Sequence, residues 1–287
     1  MGFRRLACIT LLALLAFPPP GSSGPKAVEV FCPIIAMGDF PGEEPRSGKL
    51  TGYLLGGWSK DGWLQDKAAA RLLRGGETYR FYNLTGEIGV AAGSPPFPFG
   101  EEGDPCHETL AVSFADPPKV QDGLVAVGGS CKALPRVPRL LSTEQQVYKD
   151  AAAAILQQNG IPRPHVRLTQ VIRVDLEGDG SEEVLVSATH YAQGLSPRAS
   201  PGDYSLVFLR RVVKGKVVTT LIAGDFFPKR VEFGAPGEHR VGGVLDLNGD
   251  GVMEIVLFGR YYEGDWVAAY RVEGDQIIKI FSTGCGV

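Results

Sequence analysis

Apolar residues recur along the chain in short runs broken by clusters of Gly, Pro, Asp and Asn. This spacing predicts strands joined by turns far more often than helices. In the first half, Thr78 to Leu84, Thr109 to Ala115 and Gly123 to Gly128 read as strands, and Ala92 to Pro105 as an irregular Pro-rich loop. Two segments carry helical signals instead. Asp66 to Arg74 has an acidic start and stops at Gly75-Gly76, and Ser142 to Asn159 has capping-box candidates in Ser142 with Gln145 or Thr143 with Gln146. Gly160 and Pro162 then supply the stop of that second helix. Before it, Pro135-Arg136-Val137-Pro138-Arg139 reads as a short extended linker.

The second half is internally repeated. Val171 to Val186 and Val241 to Leu257 each place an acidic, Gly-containing loop between two β-rich runs. The similarity continues from Asp203 to Arg210 against Asp265 to Arg271, and from Lys216 to Gly224 against Gln276 to Gly284. Four β-rich runs per unit match a four-stranded antiparallel meander, the unit of propeller blades. The expected fold class is therefore mainly β: two four-stranded antiparallel meander repeats, propeller-blade-like, C-terminal to a mixed β-rich domain, with one linking helix. The expected organisation is a signal peptide at 1–24, a β-rich domain at 25–140, the linking helix at 141–162 and the two repeats at 163–287. Two units are fewer than a closed propeller needs, which leaves degenerate N-terminal blades and a sandwich of sheets as alternatives.

The loops carry the candidate chemistry. Side-chain oxygens at positions 1, 3 and 5, Gly at 6, a carbonyl at 7 and a carboxylate at 9 supply the hard oxygen donors that Ca²⁺ takes. The second loop offers Asp246, Asn248, Asp250, the carbonyl of Val252 and Glu254. The first offers Asp175, Glu177, Asp179, the carbonyl of Ser181 and Glu183. An EF-hand would place Glu at position 12 and continue as a helix; here Val186 and Leu257 stand there, within β-branched runs. These loops, over about residues 166 to 287, resemble the FG-GAP and VCBS calcium-binding β-repeats. The resemblance implies up to two structural calcium ions and a binding or adhesive role outside the cell or at its surface. Phe258-Gly259-Arg260 and Ser187-Ala188-Thr189 stand where that family has Gly-Ala-Pro.

Composition narrows the rest. Gly 38 and Pro 21 fit a turn-rich chain, and a net charge of −3 argues against a nucleic-acid partner. Arg4 and Arg5, the apolar run Leu6 to Phe17 and Pro18 to Gly24 have the layout of a secretory signal. At about 1.5 Å per residue that run covers roughly 18 Å, short of a hydrocarbon core near 30 Å, so no stable membrane span is expected after cleavage. The localisation expected is secreted, periplasmic or cell surface. Cys32, Cys106, Cys131 and Cys285 then suggest two disulfides with three possible connectivities. A hairpin of Thr109–Ala115 and Gly123–Gly128 would pair Cys106 with Cys131 and leave Cys32 for Cys285.

Tyr261, Tyr262 and Trp266 flank a turn and are candidates for stacking on a sugar or partner protein. The four histidines lack zinc-site spacing, and Gly57-Trp58-Ser59-Lys60-Asp61 fails the nucleophile-elbow pattern at its last position. Acid pairs such as Glu43-Glu44 and Glu101-Glu102 read as solvated loop charges. Asn83-Leu84-Thr85 is a glycosylation sequon. The leading expectation is a non-catalytic binding module; the alternative is a secreted or periplasmic hydrolase with an active site in residues 25–140.

Overall fold

The computed structural model describes residues 31–38, 50–118 and 123–287. The expected signal peptide at 1–24 and Glu43-Glu44 lie outside the described residues. The elements in chain order are β1 (Phe31–Met37), β2 (Leu50–Ser59), β3 (Gly62–Gln65), α1 (Asp66–Ala70), β4 (Thr78–Asn83), β5 (Gly86–Ala92), β6 (Phe97–Pro98), β7 (Leu110–Phe114), β8 (Leu124–Gly128), β9 (Arg139–Leu140) and α2 (Gln146–Gln158). The second half follows as β10 (Leu168–Val174), β11 (Glu183–His190), β12 (Asp203–Val213), β13 (Lys216–Phe227), β14 (Glu238–Leu245), β15 (Glu254–Tyr261), β16 (Gly264–Glu273) and β17 (Gln276–Gly286). The chain is mainly β, as its hydrophobic spacing predicts.

The described residues form three antiparallel sheets. An N-terminal sheet runs β5-β4-β8-β1-β2-β7-β6, with β3 paired to β2; a repeat sheet runs β13-β12-β11-β10-β9; and a C-terminal meander runs β14-β15-β16-β17. Alternation along the strands shows how they stack. On β11 and β12, Val184, Val186, Tyr204, Leu206 and Phe208 share a core with Ala152, Ile155 and Leu156 of α2, while Leu185, Val207 and Leu209 face the C-terminal meander. On β15 of that meander, Ile255 and Leu257 face the repeat sheet, while Val256 and Phe258 pack on Cys32, Ile34 and Val127 of the N-terminal sheet. The far side of the N-terminal sheet carries Ile35, Phe81, Phe114 and Ala126 and is covered by Ala69 of α1. The order of layers is therefore α2, repeat sheet, C-terminal meander, N-terminal sheet, α1. The C-terminal meander is buried on both faces, which is why its strands read as continuous apolar runs. Among the described residues no closed propeller forms: a helix covers the outer face of each end sheet.

The disulfides differ from the expected pairing. Cys32 bonds Cys131 and Cys106 bonds Cys285, with Cα separations of 6.0 and 5.0 Å. The physical reason is strand order. β7 and β8 are not a hairpin: β7 pairs with β2 and β6, and β8 pairs with β1 and β4. Cys106 and Cys131 are thus separated, while Cys106 meets β17 of the middle sheet.

Both helices start differently from the sequence reading. In α2 the extended Gln145 is the N-cap and makes no side-chain cap bond. Ser142 Oγ instead accepts the Glu144 amide at 3.2 Å, turning the chain before the helix begins. In α1, Gln65 is the N-cap and the Asp66 carboxylate accepts the Lys67 amide; the helix stops at Ala70 with Arg71 as its C-cap, short of the expected Arg74, and Gly75 and Gly76, both at φ 87°, lie in the loop beyond it.

Candidate functional site

The two acidic loops join β10 to β11 and β14 to β15, and they share most of their internal bonds, differing at position 5, where the Asp179 amide donates to Asp175 but the Asp250 amide donates to Asn248 Oδ1 at 3.0 Å. Asp175 accepts the amides of Gly178 at 2.6 Å, Asp179 at 3.2 Å and Gly180 at 3.0 Å. Asp246 accepts those of Gly249 at 2.6 Å and Gly251 at 2.9 Å. At position 5, Asp179 accepts the Ser181 amide and Asp250 the Val252 amide, both at 2.8 Å. At position 9, Glu183 accepts the Leu176 amide and Glu254 the Leu247 amide, both at 2.8 Å. Gly180 and Gly251 sit at φ 86° and 89°, the left-handed region that position 6 requires. The repeat is thus one of backbone conformation as well as of sequence.

Burial separates the copies. Asp246 and Asn248 are buried where Asp175 is half-buried and Glu177 exposed, while position 9 is buried in both loops and position 5 exposed in both. Glu254 is 0% exposed, and its Oε1 is buried with no hydrogen-bond partner. Burial pushes its carboxyl up to about 8, with the Leu247 amide opposing and Asp250 and Asp246 reinforcing. Glu183 is raised in the same way by burial. Among the described residues no three His, Cys, Asp or Glu side chains converge as a ready metal cage. The loop carboxylates face their own amides, and an ionised carboxylate has about four acceptor sites, so these bonds leave donor capacity. The oxygen donors of the second loop and the orphaned Glu254 oxygen fit a hard cation.

Three arginines that the motif does not include serve the loops. Cross-strand register places Arg210 opposite Val184 and Tyr270 opposite Ile255, so Arg211 and Arg271 are structural equivalents. Arg211 lies 3.6 Å from Glu177, and Arg271 lies 3.7 Å from Asp250. Each loop therefore has its own cation from the third strand of its sheet. Arg136, from the connection between β8 and β9, donates to the carbonyls of Asp175 at 2.5 Å, Leu176 at 3.0 Å and Gly251 at 2.6 Å. Sequence reading assigned its segment only to a linker. The isolated Arg between prolines gave no periodic signal.

The aromatic trio is not one surface. Trp266 packs between sheets, with its ring 5.3 Å from His239 and its indole over Gly259. Tyr261 and Tyr262 meet edge to face at 5.9 Å at the end of the β15–β16 hairpin, and Tyr261 donates to the Val287 carbonyl. A cavity of about 640 Å³ opens where the three sheets meet, lined in part by Leu84, Leu140, Gln170, Arg240 and Arg260; its described lining holds no His, Cys, Ser or Asp. Among the described residues no helix is long and apolar enough to cross a membrane. Comparison with protein-family models, curated proteins and solved structures returned no match.

Proposed function

We propose that the protein is an exported, calcium-stabilised β-repeat module that binds a protein or carbohydrate partner at the cell surface or outside the cell and performs no chemistry itself. The observation that carries this reading is Glu254: a fully buried carboxyl at position 9 of an acidic loop, with one oxygen satisfied by the loop and the other left without a partner. A buried charge is costly unless it is paired or holds a metal. In the second loop Asp246, Asn248, Asp250, Glu254 and the Val252 carbonyl would hold the ion; in the first, Asp175, Glu177, Asp179, Glu183 and the Ser181 carbonyl would. Glu177, drawn toward Arg211, is the weakest member of that set. Bound calcium would add positive charge to that of Arg211 and Arg271 beside the clustered carboxylates, fixing the turns that connect the inner strands.

Two disulfides, one of them joining two sheets, favour an oxidising compartment and hence export. The FG-GAP and VCBS resemblance is compatible with antiparallel sheets packed face to face. Thermal unfolding in millimolar calcium and in excess chelator tests the reading. At about 100 times the dissociation constant, one ion adds roughly 2.7 kcal/mol, a rise on the order of 5 to 10 °C for a chain of this size. An unchanged melting temperature would leave the loops as self-bonded acidic turns and remove the calcium reading.

A further inference from the structure

We infer that Arg136 joins the two acidic loops into one coupled cation-binding unit, so that an ion held by either loop raises the affinity of the other. The inference rests on the calcium reading above and adds a mechanism to it. The loops belong to different sheets, yet they touch directly: the Leu176 carbonyl in the first accepts the Met253 amide in the second at 2.9 Å. Arg136 spans the same junction, with its Nε on the Asp175 carbonyl and its Nη2 shared between the carbonyls of Leu176 and Gly251. Three residues earlier, the Ala133 carbonyl accepts the Asp246 amide at 2.8 Å. The connection from the N-terminal sheet is therefore stitched to the first ligand position of both loops.

Two details make this a positioning role and not a competing one. The acceptors of Arg136 are the carbonyls at positions 1 and 2 of the first loop and position 6 of the second. The carbonyl that such a loop offers a cation is at position 7, Ser181 or Val252. Arg136 thus holds the backbone and leaves the ligand oxygens untouched. Gly178 admits it, since a Cβ there would stand 2.9 Å from Nη1. At the matching Gly249 the same position is open space. Ordering one loop then fixes carbonyls shared with the other. The second ion meets a loop whose conformational entropy has already been lost, which is the thermodynamic source of positive coupling. Because linkage is reciprocal, both sites gain by the same factor.

The test is a calcium titration of the full mature chain, uniformly labelled with nitrogen-15, following the amides of Gly180 and Gly251, which donate to Asp175 and Asp246 and report each loop separately. In the wild type both amides are expected to move over one shared range of calcium, more steeply than a single independent site. In Arg136→Gln the two midpoints should separate by at least fivefold, the lower end of ordinary coupling. Arg136→Lys, which keeps the charge and loses the fork that reaches three carbonyls, should separate them as well. Circular dichroism and the disulfide map confirm that each variant is folded. Independent midpoints in the wild type, or shared midpoints surviving in both folded variants, would overturn the coupling while leaving calcium binding intact. If neither amide moves in millimolar calcium, the calcium reading itself falls and takes the coupling with it.

Discussion

Leu176 and Met253, one in each repeat, are joined backbone to backbone at 2.9 Å, so the two acidic turns close on each other across a sheet interface. That contact depends on the left-handed glycine just before it in the second loop. Gly251 sits at φ 89°, and a Cβ added there would meet nothing within 4 Å. Gly251→Ala is therefore a test of backbone strain alone. We expect a loss of roughly 1 to 2 kcal/mol in urea unfolding, with part of it recovered by Gly251→Asn, which tolerates that conformation. A loss no larger than that of an ordinary surface substitution would show that the turn does not need its left-handed residue.

Glu254 sets the cost of leaving the second loop without an ion. Glu254→Gln keeps the shape of the side chain, removes its charge and preserves an oxygen for the Leu247 amide. In chelator at a pH above about 8, where the wild-type carboxyl carries its charge, the variant is expected to melt no lower than the wild type, because a buried unpaired charge has been removed. In millimolar calcium it should lack the calcium-dependent gain of its own loop. A variant that melts lower in chelator and retains the full gain would show that Glu254 is not a ligand.

The disulfide between Cys106 and Cys285 ties the β6–β7 loop to the edge strand β17, where Thr109 Oγ1 also donates to the Gly284 carbonyl at 2.7 Å. With a sequence separation of 179, it restricts most of the unfolded chain. In the chain-entropy account such a bridge contributes on the order of 5 kcal/mol. The double variant Cys106→Ala, Cys285→Ala should lose stability of that order in urea unfolding, with amide exchange rising first along β17. Non-reducing peptide mapping should recover Cys32 with Cys131 and Cys106 with Cys285. Recovery of Cys106 with Cys131 would contradict the strand order described here.

Local periodicity made much of this fold readable. The strands β10 to β17 and both acidic loops follow from alternation, turn residues and a visible repeat, all of which are encoded within a few residues of where they act. Pairings between distant strands are not. The segments that became β7 and β8 are joined by a turn-forming Asp-Pro-Pro and look like a hairpin, yet each finds better partners elsewhere in the N-terminal sheet, and the disulfide pairing changes with them. Register was hidden for a similar reason. Sequence matching sets Arg210 against Arg271, but pairing along β11 and β12 makes Arg211 the equivalent, and Arg211 is the side chain that reaches the loop. Trp266 looked like a partner of Tyr261 because they are close in sequence; the alternation of β16 turns it to the other side, against His239. The order of the sheets was also beyond reach, since the second repeat lies between the first repeat and the N-terminal sheet.

Asp225 on β13 and His239 on β14 meet at 3.3 Å, linking the outer repeat sheet to the middle one. Burial alone would raise the Asp225 carboxyl, but the His239 ring and the Gly237 amide at 2.8 Å outweigh it and hold the group below the ordinary Asp value. A carboxyl lowered in the folded state adds stability that is complete above the unfolded value, near about 3.9, and disappears as pH falls through the folded value. We therefore expect wild-type stability to fall as pH drops below about 4, with Asp225 contributing to that fall. Asp225→Asn should be less stable than the wild type near neutral pH, and the two stability curves should converge toward the acid end, where the wild-type carboxyl is also uncharged. His239→Gln should show the same convergence, because it removes the partner that holds the carboxyl down. Urea midpoints measured across the acid range decide the matter: curves that run parallel to the lowest pH would show that the contact does not couple the two sheets to protonation.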